Sequence, residues 1–513
     1  MVASAYVGAV SSRVVVVGAG LAGLSAACHL VGAGFEVTVV ERETIPGGRA
    51  GRIVRDGYTF DTGPTVMTMP GLLADVVHAA GRGRFSLDDL LPMVRLDPAY
   101  RASFADGSEI LVRAGHEAMH DEIAATCGPA DAAAFDDFVV WLRELYELEM
   151  PHFIDRNFNS PLDLVSSPRV AARLVRMGGF RRLGPVVAER FRDERLRRLF
   201  SFQAMYAGLP PSRALAIYAV ITYMDSVAGV YFPEGGMGAI PVAMARAAEL
   251  GGVEFRWGTT VHEIQRGPNG RVAAVDLGGG ERLRADAVVC TLDTPVAYER
   301  LLPGLRGPRA VRSGRYSPSA VVWHVGARGA PPADAAHHNI HFAQEWDSAF
   351  DALIGDLELM PDPSRLVTVP SLTDPSLAAP GGSTLYVLEP VPHLGGSVDW
   401  KRERGPMRER LMGFLAAHGY PTDIVTEELV TPLEWQAMGM ASGTPFALAH
   451  TFLQTGPFRP PNVERRMPGL VFAGSGTVPG VGVPMVLISG RLAAERVREY
   501  LPAPDRAPTA VRS

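Results

Sequence analysis

Three glycines and one carboxylate carry the first chemistry legible in this chain. Gly18, Gly20 and Gly23 follow directly on Val14, Val15, Val16 and Val17, and Glu41 closes a second apolar run from Phe35 to Val40. A G-x-G-x-x-G spacing between a strand and a helix suits a dinucleotide. Gly18 lets the chain turn tightly out of the strand, Gly20 admits a pyrophosphate close to the backbone, and Gly23 lets the helix pack near the strand. The helix opening at Leu21 and Ala22 offers unpaired N–H groups and the positive end of its dipole to phosphate. Glu41 lies about twenty residues beyond Gly18, where a carboxylate accepts hydrogen bonds from an adenosine ribose. Val14 to Phe35 carries no Asp, Glu, Lys or Arg and invites reading as a signal peptide or membrane helix, but its glycines and the strand-like run after it argue against both.

A second glycine turn, Pro46-Gly47-Gly48-Arg49, follows the carboxylate, and then Phe60-Asp61-Thr62-Gly63-Pro64-Thr65. A close backbone approach at this point favours a flavin over a nicotinamide cofactor. Near the other end Gly474-Ser475-Gly476-Thr477-Val478-Pro479-Gly480-Val481-Gly482-Val483-Pro484 opens the last helix. With these motifs the chain resembles the amine oxidase and phytoene desaturase superfamily of FAD proteins. The Phe60 to Thr65 run, Gly443-Thr444-Pro445 through Phe452, and Gly456-Pro457-Phe458-Arg459-Pro460 resemble its bacterial carotenoid desaturase branch, and the likeness spans nearly the whole chain.

The resemblance implies an FAD site formed by Gly18, Gly20, Leu21, Ala22, Gly23, Glu41, Arg42, Gly48, Arg49, Pro64, Thr65, Val261, Gly474, Gly476, Thr477, Gly482 and Val483. It also implies an activity, the desaturation of an acyclic carotene from phytoene towards lycopene by hydride transfer to the flavin, with quinone or oxygen as electron acceptor. The cysteines all precede residue 291, so the flavin is expected to be non-covalent. One departure is Ser475, where amine oxidases place an acid for the ribityl chain. Rival readings are a carotene isomerase, a ketolase, a diapocarotenoid desaturase, an amine oxidase, and a prenyl-binding escort protein without redox chemistry.

These motifs need an α/β frame. A Rossmann-like FAD-binding domain with a parallel sheet is expected from residues 12–80, 234–300 and 466–500. A mixed-sheet substrate domain takes 81–115 and 301–465, a helical subdomain that meets the membrane takes 116–233, and 501–513 form a flexible tail. Within this frame Val94 to Val112 reads as a hairpin turning at Asp106-Gly107. Val253 to Arg256 reads as a third parallel strand, Val261 to Val289 as a small antiparallel meander, and Met485 to Tyr500 as the last helix.

At 513 residues the chain exceeds one compact core. Its net charge of −6 gives no reason to expect nucleic acid. Cys28, Cys127 and Cys290 form no CxxC pair, so neither a disulfide framework nor a metal site is indicated. The protein is expected in the cytosol or on a membrane surface. No catalytic side chain stands out: Asp61, Asp155 and Arg156 lie near the expected cavity, yet each reads more readily as structural. Tyr206, Tyr218, Tyr223, Tyr231, Phe232, Trp435, Phe446 and Phe452 are candidate tunnel residues, half or more of them expected to be ordinary core. Between Arg169 and Arg198 ten arginines face three acidic residues, a basic amphipathic stretch suited to an anionic bilayer or, equally, to a solvated helical face.

Overall fold

The computed structural model describes residues 12–165 and 168–501. The expected tail therefore lies, apart from Leu501, outside the described residues.

Two sheets position everything else. The first has five parallel strands in the order Leu470–Phe472, Ala287–Cys290, Arg13–Val17, Glu36–Val40 and Glu254–Arg256. Its central strand is a β-branched run because both faces are covered: Val14 and Val16 pack with the helices, Val15 and Val17 with the meander. The meander itself is Glu263–Arg266, Val272–Gly278 and Glu281–Arg284, antiparallel throughout. The helix Leu21–Gly32 is apolar almost all round, as a helix enclosed by others must be; it packs against Pro70–Ala80, Ala239–Gly251 and the last helix.

The second sheet has seven strands in the order Asp423–Val430, Ser319–Arg328, Gly382–Val391, Arg365–Thr368, His338–His341, Tyr100–Ser103 and Glu109–Val112. All neighbours run antiparallel except His338–His341 beside Tyr100–Ser103. Val321, Trp323, Val325, Leu385 and Val387 alternate onto one face and meet Met407, Leu411 and Leu415 of the helix Trp400–Ala417. Among the described residues from 116 to 227, every named element is helical.

Three expectations shift in detail. The segment read as one hairpin divides at Pro98, which has no N–H to extend a ladder. Met93–Arg95 pairs with Tyr231–Pro233, and only Tyr100–Ser103 with Glu109–Val112 forms the hairpin. The last helix starts at Val483, because Pro484 fits a first turn where no N–H is needed. The arginine-rich stretch folds as three short helices, Pro168–Arg176, Leu183–Ala188 and Glu194–Leu199, bent at Gly178, whose φ is +78°. Many of its arginines are spoken for: Arg173 pairs with Glu144, Arg181 with Glu189, Arg195 with Asp193, and Arg198 with Glu194.

Candidate cofactor and active site

The glycine turn and the C-terminal glycine segment meet at the carboxyl edge of the parallel sheet, where ligands bind in open α/β folds. Gly18 leaves the first strand with φ +105°, and a Cβ there would stand 2.3 Å from Thr291 Oγ1. A Cβ on Gly23 would lie 2.0 Å from the Gly18 carbonyl, so helix and strand approach only because neither carries a side chain. The last helix closes on the first in the same way: a Cβ on Gly490 would sit 2.3 Å from the Ala22 carbonyl. Ser25 Oγ adds a 2.7 Å hydrogen bond to the Leu487 carbonyl. Both helices open on glycine, Gly20 and Gly482, with no side chain capping their first turns. Two uncapped N-termini therefore share one cleft, with Leu21, Ala22 and Val483 at their first positions.

Glu41 is buried beside this cleft. Its Oε2 accepts the Ala19 N–H at 2.6 Å and Oε1 accepts the Glu43 N–H at 2.9 Å, which fixes the loop of Gly18 to Gly23 from below. The Thr259 N–H donates to the Glu41 carbonyl at 2.8 Å, and Val261 packs with Val15, Val17 and Val40. Arg42 lies on the surface and donates to the Met438 carbonyl at 3.2 Å.

The second glycine turn lies on the first. Gly47 N–H donates to the Ala19 carbonyl at 3.0 Å, and a Cβ on Gly48 would be 3.3 Å from Gly20 Cα. Arg49 then reaches across the cleft, donating Nη2 to Ser475 Oγ at 2.5 Å and Nη1 to the Pro445 carbonyl. Burial lowers its guanidinium pKa, against the carboxylate of Asp293. Asp293, raised by burial, accepts the Ala441 N–H at 2.8 Å. Pro64 and Thr65 continue from Gly63, whose Cβ would lie 1.9 Å from the Arg49 carbonyl. On the far side Gly474, with φ +111°, donates its N–H to Ser489 Oγ at 3.0 Å. A Cβ on Gly476 would be 2.4 Å from Thr294 Oγ1, and Thr477 Oγ1 donates to the Pro460 carbonyl at 2.7 Å.

The structure thus brings Gly18 to Gly23, Glu41, Gly48, Arg49 and Gly474 to Gly476 together at the carboxyl edge of the parallel sheet, with Pro64 and Thr65 following Gly63 on the Arg49 carbonyl and Val261 packed with Val15, Val17 and Val40. Glycines at each close approach, uncapped N-termini and a buried acid fit an elongated diphosphate ligand with a ring system at one end. Asp155 and Arg156 are elsewhere engaged, Asp155 with Arg491 and Arg156 over the ring of Phe158 at 5.2 Å. Asp61 accepts the N–H groups of Met237 and Gly238 at 2.9 and 2.8 Å, and so fastens the turn before the helix Ala239–Gly251. Among the proposed tunnel residues Trp435 is core, donating Nε1 to the Ala320 carbonyl at 2.8 Å, and Phe452 is surface, 51% exposed. Tyr206, Tyr223 and Tyr231 stay half-buried.

Nothing in the local sequence assigns Arg459 a role. It is fully buried, with Nε on the Thr477 carbonyl at 2.9 Å and Nη2 on the Ser475 carbonyl at 2.6 Å. An arginine between an aromatic and a proline in an apolar stretch was the available signal.

Comparison with known proteins gives a consistent answer. The profile of flavin containing amine oxidoreductases matches residues 21–498. A phytoene dehydrogenase of Streptomyces griseus is 51% identical over 94% of this chain and 95% of its own. A zeta-carotene-forming phytoene desaturase of Myxococcus xanthus is 38% identical over 95% and 94%. Among solved structures, an oxidoreductase from Methanosarcina mazei superposes with a TM-score of 0.61 at 18% identity, covering 94% of this chain and all of that one, which bears on the fold alone.

Proposed function

The chain belongs to the flavin-containing amine oxidoreductase family, within its phytoene desaturase branch, and on that premise we propose how its cleft works. The protein is an FAD-dependent oxidoreductase acting on CH–CH bonds of a carotene; we read the substrate as phytoene, taken stepwise towards lycopene. The observation that carries this is the meeting of Gly18–Gly23 with Gly474–Val483, brought together by the contact of Gly490 with Ala22.

Leu21, Ala22 and Gly23 hold the diphosphate by their N–H groups, and Glu41 takes the ribose. Gly48, Arg49, Pro64 and Thr65 border the ring end, where the dipole of the helix Val483–Tyr500 favours negative charge. Bound there, FAD supplies a two-electron hydride acceptor. The chain's own part is to hold the substrate carbon in place and keep water away from it. Ser475 shares its hydroxyl with Arg49 at the place where an acid serves the ribityl chain in amine oxidases; this pairing supports a ribityl contact made through Arg49.

The carotene is read as arriving from a bilayer, since each methylene left in water costs roughly 0.8 kcal/mol. Among the described residues no helix is long and apolar enough to cross a membrane. A surface patch supports peripheral docking. Leu162 in the turn Pro161–Val165 and Phe452 and Leu453 in the turn Phe452–Gln454 are exposed. The turn Gly456–Phe458 packs against both, and the helix Pro168–Arg176 adjoins with exposed Val175. Quinone or oxygen is the proposed final acceptor.

The test is anaerobic incubation of the purified, FAD-loaded protein with phytoene in liposomes. Bleaching of the flavin with formation of longer polyenes supports the reading. Unchanged phytoene beside intact oxidised flavin rejects it.

A further inference from the structure

The face of the seven-stranded sheet turned away from the helix Trp400–Ala417 carries a lateral row of polar side chains. The register sets His324 opposite Tyr386, Tyr386 opposite Thr368, and Thr368 opposite His338. Directly opposed residues point to the same face. Against this row lies a small cavity of about 10 Å³, whose polar lining is Asp61, Thr65, His324, Thr368, Thr384 and Tyr386. That is room for about one water.

Both ring nitrogens of His324 and Oγ1 of Thr368 are buried without a hydrogen-bond partner. Buried polar atoms left unpaired are costly and call for an explanation. Three such atoms at one cavity mark a place built for a small polar guest. The cavity also adjoins the proposed flavin site, because Asp61 and Thr65 bracket the loop whose Gly63 lies on the Arg49 carbonyl.

We propose that this cavity receives the proton of each desaturation, through water held by His324 and Thr368. The proposal rests on the desaturase reading above. Two C–H bonds break as one C=C bond forms. One hydrogen leaves with its electron pair to the oxidised flavin, which is reduced by two electrons, and the other leaves as a proton and needs a base. His337 also leaves one ring nitrogen without a partner, but its other nitrogen meets Thr373 Oγ1 at 2.6 Å, whereas His324 has neither nitrogen engaged.

The groups facing His324 are Asp61 from the strand Tyr58–Asp61, Tyr386 from one neighbouring strand and Glu428 from the other, with Arg55 beside Glu428 at 3.6 Å. Burial, with Arg55 adding to it, draws the imidazole down to about 4. Burial pushes the Asp61 carboxyl up to about 6, against the hydrogen bonds it accepts. At neutral pH both are unprotonated, so the pair takes up one proton. Glu428 and Arg55, half-exposed at the sheet edge, give that proton a way out.

The experiment compares wild type, His324→Gln, His324→Ala and Thr368→Val, each FAD-loaded, with phytoene in liposomes under anaerobic conditions. FAD content, carotene quenching of flavin fluorescence and the pH profile of flavin bleaching are read together. Expected for His324→Gln is bleaching slowed roughly 100-fold, the low end for loss of a general base. FAD content and quenching stay unchanged, and the inflection of the pH profile moves. Imidazole restores part of the rate in His324→Ala, and Thr368→Val slows bleaching without altering FAD content. A high-resolution crystal structure shows ordered water between His324 and Thr368. Rates within twofold of wild type with the same pH profile overturn the proposal, as does a dry cavity. If the histidine variants do not fold, Thr368→Val decides by the same criteria. A wild type that binds FAD but leaves phytoene untouched overturns the desaturase reading and this proposal together, an outcome distinct from slow variants of an active wild type.

Discussion

The guanidinium of Arg459 donates Nη2 to the carbonyl of Ser475 at 2.6 Å, and its Nε meets the carbonyl of Thr477 two residues on. Its Nη1 also donates to the carbonyls of Leu448 and Gln454 at 3.3 and 3.2 Å. With no carboxylate bonded to it, this buried cation is satisfied by carbonyl dipoles, and burial draws its pKa down to about 10. It thereby fixes the backbone that leads into the last helix. Arg459→Gln strands several carbonyls at about 1 to 3 kcal/mol each. A drop in melting temperature together with flavin loss on gel filtration is expected; a variant that keeps its flavin and its stability refutes this role.

Gly490 against Ala22 is the contact that joins the two ends of the chain. Gly490→Val puts a branched side chain where even one Cβ would stand 2.3 Å from a backbone carbonyl. Overpacking of this kind costs about 1 to 3 kcal/mol. The helix Val483–Tyr500 should shift from the glycine turn, so flavin affinity should fall along with stability. Val242→Ala, at an exposed position of the neighbouring helix, serves as the control. Flavin titration that gives equal affinities for Gly490→Val and the control would refute the coupling.

How much of this was legible beforehand depends on the range of the interaction. Gly18, Gly23 and Glu41 announce themselves because a strand, a turn and a helix follow one another locally, and the structure has that strand, turn and helix. The meander and the strand Glu254–Arg256 were readable for the same reason. Arg459, Asp293 and His324 were not. Arg459 and Asp293 work through Ser475 and Ala441, brought near by folding, and His324 meets Thr368 across a cavity only in the assembled sheet; no local spacing encodes that. Phe452 shows the opposite failure: an aromatic in an apolar segment reads as lining, yet the short turn Phe452–Gln454 holds it at the surface.

The exposed apolar patch makes a separate prediction. Replacing Leu162, Phe452 and Leu453 together by Ser should weaken sedimentation with anionic liposomes while leaving stability nearly unchanged, since surface substitutions usually shift it within about 0.5 kcal/mol. Replacing Arg169, Arg176 and Arg182, for which no ion pair is seen among the described residues, by Gln should weaken binding mainly at low salt. Equal sedimentation of both variants and wild type would remove this face from consideration.

Acid should loosen the fold well above the usual carboxylate range. Burial draws His29, His324 and His338 down to about 4 and His341 down to about 3, lowers His393, and holds His337 and His450 well below the ordinary value. A histidine kept neutral in the fold takes up its proton first in the unfolded chain. Its contribution is therefore complete above about 6.5, and stability is lost as pH falls from there towards the folded value. Five buried acids oppose the trend: Asp61 and Asp225, pushed up by burial to about 6 and about 7, Glu149, raised well above the carboxylate norm, and Asp293 and Glu389, also raised by burial. The folded state binds those protons first, so acidification over the same range favours it at these sites. Seven histidines against five carboxyls leave a net loss on the order of 1.4 kcal/mol per pH unit for each uncompensated proton. Urea midpoints should hold near neutral pH and decline below about 6.5. Asp225→Asn, which removes one opposing group, should steepen the decline; a flat midpoint from pH 6.5 to 4.5 would show that these imidazoles are not buried as neutral groups.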